Sequence, residues 1–182
     1  MRHQGPRKPR PPLDDDKLNE LMMAYVGKFA TSRAKLGTYL TRKVKERGWA
    51  GSGDAPVDAL VDKATRLGFV DDAAFALSKA RSLTARGYGA RRVGQALNAA
   101  GIEEGDGEAA RDHAQEEAVE AALRFARRRR IGPFASAQPD PAQKEKALAA
   151  MVRAGHDFRL SKTILALPPG SEIDRQALQD NA

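Results

Sequence analysis

From Asp16 onward, apolar residues return along the chain at helical intervals. Leu18, Leu21, Met22, Tyr25, Val26 and Phe29 fall at i, i+3, i+4, i+7, i+8 and i+11, which is one face of an α-helix. Asp14, Asp15 and Asp16 stand ahead of that face as cap and first-turn acids, where carboxylates accept free backbone N–H bonds and meet the positive end of the helix dipole. A second helix is predicted over residues 32–47, with Leu36, Tyr39, Leu40 and Val44 on its buried stripe and Gly48 placed to end it. Trp49 then packs back. After Gly51, Ser52 and Gly53, Asp54 is in position to cap a third helix striped by Val57, Leu60, Val61, Ala64 and Leu67 and closed by Gly68.

The pattern restarts at Asp71 and Asp72, which open a fourth helix through Phe75, Ala76, Ala80 and Leu83. A loop at Gly87, Tyr88 and Gly89 leads into a fifth helix bearing Val93, Ala96, Leu97 and Ala100 and stopped at Gly101. Gly105, Asp106 and Gly107 break the next stretch and leave room for a short helix over residues 108–113. A stronger helix resumes near Gln115 with Ala118, Ala121, Ala122, Phe125 and Ala126, and finishes in Arg127, Arg128, Arg129 and Arg130, cations at the negative end of the dipole. Past the linker from Pro139 to Pro141, one helix carries Ala147, Leu148, Met151 and Val152 as far as Gly155. Another holds Leu160, Ile164 and Leu165 until Pro168 and Pro169 terminate it. No stretch alternates apolar and polar residues as a strand does, so the fold class is all-α.

The second helix of each group lines up with the others. Leu36, Gly37 and Leu40 align with Val93, Gly94 and Leu97, and Val93, Leu97 and Gly101 align with Ala147, Met151 and Gly155. This is an internal repeat of about fifty residues with three helices in each unit. Units that cannot each bury a full core stack side by side, so the expected architecture is three tandem three-helix repeats in an elongated, slightly curved solenoid. The expected division is a disordered basic arm over 1–15, repeats over 16–70, 71–114 and 115–167, and a flexible tail over 168–182. Two irregularities stand out. Twelve positions separate Leu36 from Gly48 where the second repeat has eight, so the first repeat's middle helix gains a turn. The glycines at 105 and 107 weaken the third helix of the second repeat.

Composition narrows the function. Apolar residues are 41% of the 182 but aromatics only 5%, which fits many small helical contacts better than one deep pocket. Lysine and arginine outnumber the acids by 31 to 24, for a charge of +7, and such a surface favours polyanions. There is no cysteine, which excludes thiolate chemistry and is compatible with a reducing cytoplasm. The apolar runs are far shorter than a membrane span, and the first twelve residues, with four prolines and four basic residues, lack the apolar core of a signal peptide.

No catalytic or cofactor motif is present. His3, His113 and His156 lie in separate segments without a paired metal-binding spacing, and neither a phosphate-binding loop nor a serine elbow occurs. No cofactor or metal is expected. Glu116, Glu117 and Glu120 read as a solvated helix face. The cations are more informative: Arg33, Lys35, Arg42, Lys43, Lys45 and Arg47 crowd the second helix, while Arg81, Arg86, Arg91 and Arg92 cluster around the fourth and fifth. The Gly-Tyr-Gly turn places Arg91 and Arg92 near a helix N-terminus, where free N–H groups and guanidinium forks together suit a phosphate or carboxylate. Tyr88 reads equally as a residue that stacks on a base or anchors a protein contact, or as a turn residue capping the core. Arg127 to Arg130 read equally as backbone-phosphate ligands or as dipole-stabilising charges.

Leu67-Gly-Phe-Val-Asp-Asp-Ala-Ala-Phe75-Ala, followed by Ala80-Arg-Ser-Leu-Thr-Ala-Arg86-Gly-Tyr-Gly-Ala-Arg-Arg92-Val and closing in Gly101-Ile, resembles the central repeat of the RecX family. Ser32-Arg-Ala-Lys-Leu36, continuing to Arg47-Gly-Trp49, is similar to that family's opening repeat, and the resemblance extends over residues 18–167. It implies three tandem three-helix repeats and a non-enzymatic regulator that binds the RecA nucleoprotein filament, restraining recombinase, ATPase and co-protease activities in DNA repair and the SOS response. The implied partners are that filament and non-specific single- and double-stranded DNA, met by a monomer in the cytoplasm. The residues expected to make those contacts are Arg33, Lys35, Arg42, Lys43, Arg81, Arg86, Tyr88, Arg91, Arg92, Arg127 and Arg128. Two other readings compete: a plain DNA-binding module of helix-turn-helix character, and, behind it, a small hydrolase or nuclease.

Overall fold

The structure, a computed structural model, describes residues 11–179, so the first ten residues of the expected arm, His3 among them, and the last three of the expected tail lie outside it. The described residues are helical with no paired strands, and they form two compact units that divide between residues 72 and 73. No described helix is long and apolar enough to cross a membrane.

The first unit contains α1 (Asp15–Val26), α2 (Arg33–Arg47) and α3 (Val57–Arg66). Leu18 and Met22 from α1, Leu36 and Leu40 from α2, and Leu60, Val61 and Ala64 from α3 close on one core together with Leu13 and Val70. Side-chain caps start two of the helices: Asp14 accepts from the Lys17 N–H at 2.9 Å and Ser32 from the Lys35 N–H at 3.3 Å. Asp54 does not cap α3. That helix begins at Val57 after Pro56 and has no side-chain cap, because Asp54 lies too far upstream for its carboxylate to reach the first-turn N–H groups.

Two residues assigned to buried stripes lie outside them. Phe29 is 48% exposed and Leu67 56% exposed, since α1 stops at Val26 and α3 at Arg66. The apolar spacing continues past each helix end, but the backbone that would carry it inward does not.

The expected arm is already fastened at Pro11. The Leu13 N–H donates to the Gly48 carbonyl at 2.9 Å and the Ala50 N–H to the Leu13 carbonyl at 2.8 Å, an isolated parallel bridge between Leu13 and Trp49. Arg47 donates from both Nε and Nη2 to the Pro11 carbonyl, and Leu13 is fully buried.

The second unit begins within α4 (Asp72–Ala85) and continues through α5 (Ala90–Asn98), α6 (Glu108–Glu116), α7 (Ala118–Arg129), a 3-10 turn (Gly132–Phe134), α8 (Pro141–Arg153) and α9 (Phe158–Ala166). Ala76, Ala80, Val93, Leu97, Ala110 and Ala114 build one core from α4, α5 and α6, while Phe125, Met151, Leu160 and Ile164 anchor another from α7, α8 and α9. Tyr88 packs against both. α6 runs three residues beyond His113, and despite its glycine-rich approach it is a full third helix, because Ala110 and Ala114 bury against α5. The extra length read in the first repeat is real, with α2 at 15 residues against nine in α5. The segment expected as a flexible tail holds a further short helix, α10 (Arg175–Gln179), whose Leu178 is buried in the α7–α9 core and whose Arg175 donates to Glu120 at 2.7 Å.

Candidate functional site

The Gly-Tyr-Gly turn lies at the centre of the second unit, where α5 meets the turn between α8 and α9. Glycine is required at 89 by space alone: a Cβ there would stand 2.3 Å from the Gly155 carbonyl oxygen. The close approach is used for bonding. The Gly89 N–H donates to the Ala154 carbonyl at 3.0 Å and the Arg91 N–H to the Gly155 carbonyl at 3.2 Å. His156 completes the junction. Its ring is buried edge-on to Phe125, centroids 5.3 Å apart, and Nε2 lies 3.1 Å from the Gly87 carbonyl. A carbonyl only accepts, so Nε2 carries the proton and donates, leaving Nδ1 bare, buried and without a protein partner among the described residues. Burial pulls the imidazole pKa down to about 4, the Gly87 carbonyl opposes that fall, and the positive charge of Arg128 adds to it.

This junction corrects one expectation. The first N–H groups of α5 were expected to be free for an anion, but carbonyls from the α8–α9 turn take those of Gly89 and Arg91, and the Gly89 carbonyl takes those of Arg92 and Val93. The side chains of Arg91 and Arg92 remain exposed, and Arg92 contacts Gln95 at 3.4 Å. What these two residues can offer a ligand is charge without a backbone cradle.

Around the same turn the chain gathers arginines from two repeats. Arg86 closes α4, donates from Nε to the Ser82 carbonyl at 3.2 Å, and holds its guanidinium 5.5 Å from the Tyr88 ring centre. Arg128, from the end of α7, donates Nη1 to the Arg86 carbonyl. Arg127 lies 4.9 Å from the Phe134 ring centre, and Arg128 and Arg129 each lie 5.6 Å from that of Phe125. Arg124, one turn before Arg128, donates to the Thr84 carbonyl at 3.3 Å and pairs with Glu117 at 2.9 Å. Arg86, Tyr88 and Arg128 are thus brought together as a ridge of guanidinium groups backed by aromatic rings, and Arg127, the preceding residue of α7, lies over Phe134. Planar guanidinium groups held over rings keep their outward N–H edges for phosphate or carboxylate. Arg129, part of the Arg127 to Arg130 run, and Arg124 flank this ridge, and Arg124 was not among the sequence candidates. The signal for Arg124 was its place four residues before Arg128, on the same helix face.

The remaining candidates have other neighbours. Arg81 is exposed on α4. In the first unit Arg33 is tied internally: its N–H donates to Asp72 at 2.8 Å and its guanidinium to Thr65 and Asp62 at 3.0 and 2.7 Å. Lys35 is exposed on α2. Arg42 and Lys43 both reach Glu46, at 3.3 and 2.7 Å. Among the described residues no group of three or more His, Asp or Glu is placed to hold a metal ion.

Residues 71–110 match the family described as RecX, second three-helix domain. Over 177 residues the chain is 32% identical to the regulatory protein RecX of Myxococcus xanthus, covering 92% of this chain and 94% of that protein. The chain belongs to the RecX family. The regulatory protein RecX of Agrobacterium fabrum is 30% identical over 132 residues, 70% of each chain. The fold is shared with the crystal structure of RecX from Lactobacillus salivarius, at a TM-score of 0.58, 17% identity, and coverage of 82% of this chain and 92% of that one. A second crystal structure, of regulatory protein RecX, gives a TM-score of 0.56 at 21% identity over 82% of this chain and 68% of its own. The RecX match at 71–110 includes α4, α5 and the Gly-Tyr-Gly turn, so the Arg86 and Tyr88 part of the ridge falls inside the RecX second domain.

Proposed function

We propose that this RecX-family chain regulates without catalysis, by binding the RecA nucleoprotein filament and restraining its recombinase, ATPase and co-protease activities, as a monomer in the cytoplasm. The observation that carries the reading is the ridge where Arg128 of α7 meets Arg86 beside Tyr88, so that two repeats pool their charge over aromatic supports, with Arg127 next along the same helix. A polymer of protein and nucleic acid repeats acidic and phosphate groups along its length. A cluster of guanidinium groups meets that pattern with charge-assisted, often bidentate hydrogen bonds. Arg81, Arg91 and Arg92 are exposed in the same unit and extend the positive surface.

The deciding experiment adds the purified chain, below stoichiometry, to RecA on single-stranded DNA and follows ATP hydrolysis and strand exchange. Both rates are expected to fall, and the Arg86→Gln, Arg127→Gln double variant is expected to need at least tenfold more protein for the same effect. Unchanged rates with the wild-type chain would sink the reading. Tight, sequence-specific duplex binding without RecA would favour the helix-turn-helix alternative instead.

A further inference from the structure

The contact proposed in the second unit gives no role to one surface of the first, where the sequence candidates Arg42 and Lys43 sit. Tyr25, near the end of α1, stacks on Tyr39 of α2 with ring centres 4.1 Å apart and planes 19° from parallel. Phe29, in the turn after α1, leans on Tyr25 at 5.3 Å. The two tyrosines are half-buried against the core, but Phe29 keeps nearly half of its surface in water. Cations lie over the rings: the Lys28 ammonium is 5.4 Å from the Phe29 centre, on a flexible side chain that a base can displace onto a phosphate, and Arg42 and Lys43 are 5.8 and 5.9 Å from that of Tyr39. Glu46 steadies the last two, through a short contact to Lys43 and a longer, exposed one of 3.3 Å to Arg42 that a phosphate can replace at little cost.

An exposed ring beside a stack, with mobile positive charge over it, suits a ligand with both a flat π-face and anions. Unpaired nucleotides supply both, since every base has a face to stack and every linkage a phosphate. A duplex offers the phosphates but keeps its base faces inside, and an acidic peptide offers anions without the faces. We infer that Phe29, backed by the Tyr25–Tyr39 stack, is a stacking platform for single-stranded nucleic acid, with Lys28 and Arg42 on the flanking phosphates. This site goes beyond the filament reading and does not depend on it.

The test is fluorescence anisotropy of the full chain with three labelled probes: oligo-dT, an abasic oligonucleotide of equal length and a hairpin duplex. Oligo-dT is expected to bind more tightly than the abasic probe. Phe29→Ala is expected to weaken oligo-dT binding about 5- to 100-fold, the loss of one base–aromatic stack, while the abasic and duplex affinities stay within about twofold. Phe29→Tyr, which keeps a ring, is expected to retain oligo-dT affinity within about threefold. Lys28→Gln and Arg42→Gln are each expected to lower the salt slope for oligo-dT by about 0.7, one phosphate contact on a single strand. Equal wild-type affinity for oligo-dT and the abasic probe overturns the inference. So does a Phe29→Ala variant that loses nothing, or loses all three probes alike. No recombinase is in the assay, so its failure leaves the filament reading standing, and the reverse also holds.

Discussion

His156 makes the stability of the second unit depend on pH in a way that can be worked out in advance. The imidazole is neutral and buried in the folded chain, with a pKa lowered from its ordinary 6.5 to about 4. Above pH 6.5 neither the folded nor the unfolded state binds a proton there, and the group costs nothing. As pH falls from 6.5 towards 4 the unfolded chain takes up the proton first, so stability is lost across that window and the loss levels off below it. The gap between 6.5 and about 4, at about 1.4 kcal/mol per pH unit, makes the full loss about 3.5 kcal/mol, and most of it, about 2.5 kcal/mol, has accrued by pH 4.5. The assay is urea unfolding at pH 7.5 and 4.5 of the wild type and of His156→Gln, whose amide can still donate to the Gly87 carbonyl but cannot titrate. Every other ionisable group is common to both proteins, so the difference between them isolates this one. The wild type is expected to lose about 2 to 3 kcal/mol more than the variant on going to pH 4.5. Parallel losses within about 0.5 kcal/mol, or an imidazole that titrates near 6.5 by NMR in the folded chain, would refute the argument.

Other perturbations separate packing from charge. Gly89→Ala forces a methyl against the Gly155 backbone and is expected to cost about 1 to 3 kcal/mol or more, whereas Gly94→Ala, inside α5 with nothing within 4 Å, should gain about 0.5 to 1 kcal/mol; thermal melts of the pair read both. Leu97→Ala empties a fully buried site and is expected to cost about 2 to 5 kcal/mol by urea unfolding. Arg33→Ala breaks a half-exposed tie to Asp62 and Thr65, so it should cost at most about 1 kcal/mol and leave the salt slope of oligo-dT binding unchanged. A changed slope would return Arg33 to the ligand-binding set.

Much of the fold could be read from spacing because the repeats are local structures. Leu18, Met22, Leu36, Leu40, Val93, Leu97, Met151, Leu160 and Ile164 recur at helical intervals, and all are buried. Periodicity misled only where helices stop: Phe29 and Leu67 continue the pattern on paper after the backbone has turned away. α10 is too short to show a period, and its single buried Leu178 gave no signal of its own. The candidate site divides the same way. Charge density marked Arg86, Arg127 and Arg128, and the fold sets Arg128 against Arg86 beside Tyr88, but the bonds that occupy the start of α5 come from Ala154 and Gly155, more than sixty residues downstream. A local reading sees N–H groups without intrahelical partners and has no access to carbonyls that arrive from another repeat. The same holds for Arg33, whose helix-starting position was plain and whose acidic partners at Asp62 and Asp72 were not.

The bridge between Leu13 and Trp49 fixes where the chain can be shortened. A version starting at Pro11 keeps the leucine that plugs the first repeat and the carbonyl that Arg47 grips. One starting at Asp15 retains every turn of the three helices yet uncorks their core, at an expense of about 2 to 5 kcal/mol for a lost buried leucine. Affinity tags and fluorophores therefore belong ahead of residue 11, and a trimmed first repeat made for crystallisation should carry that short leader with it.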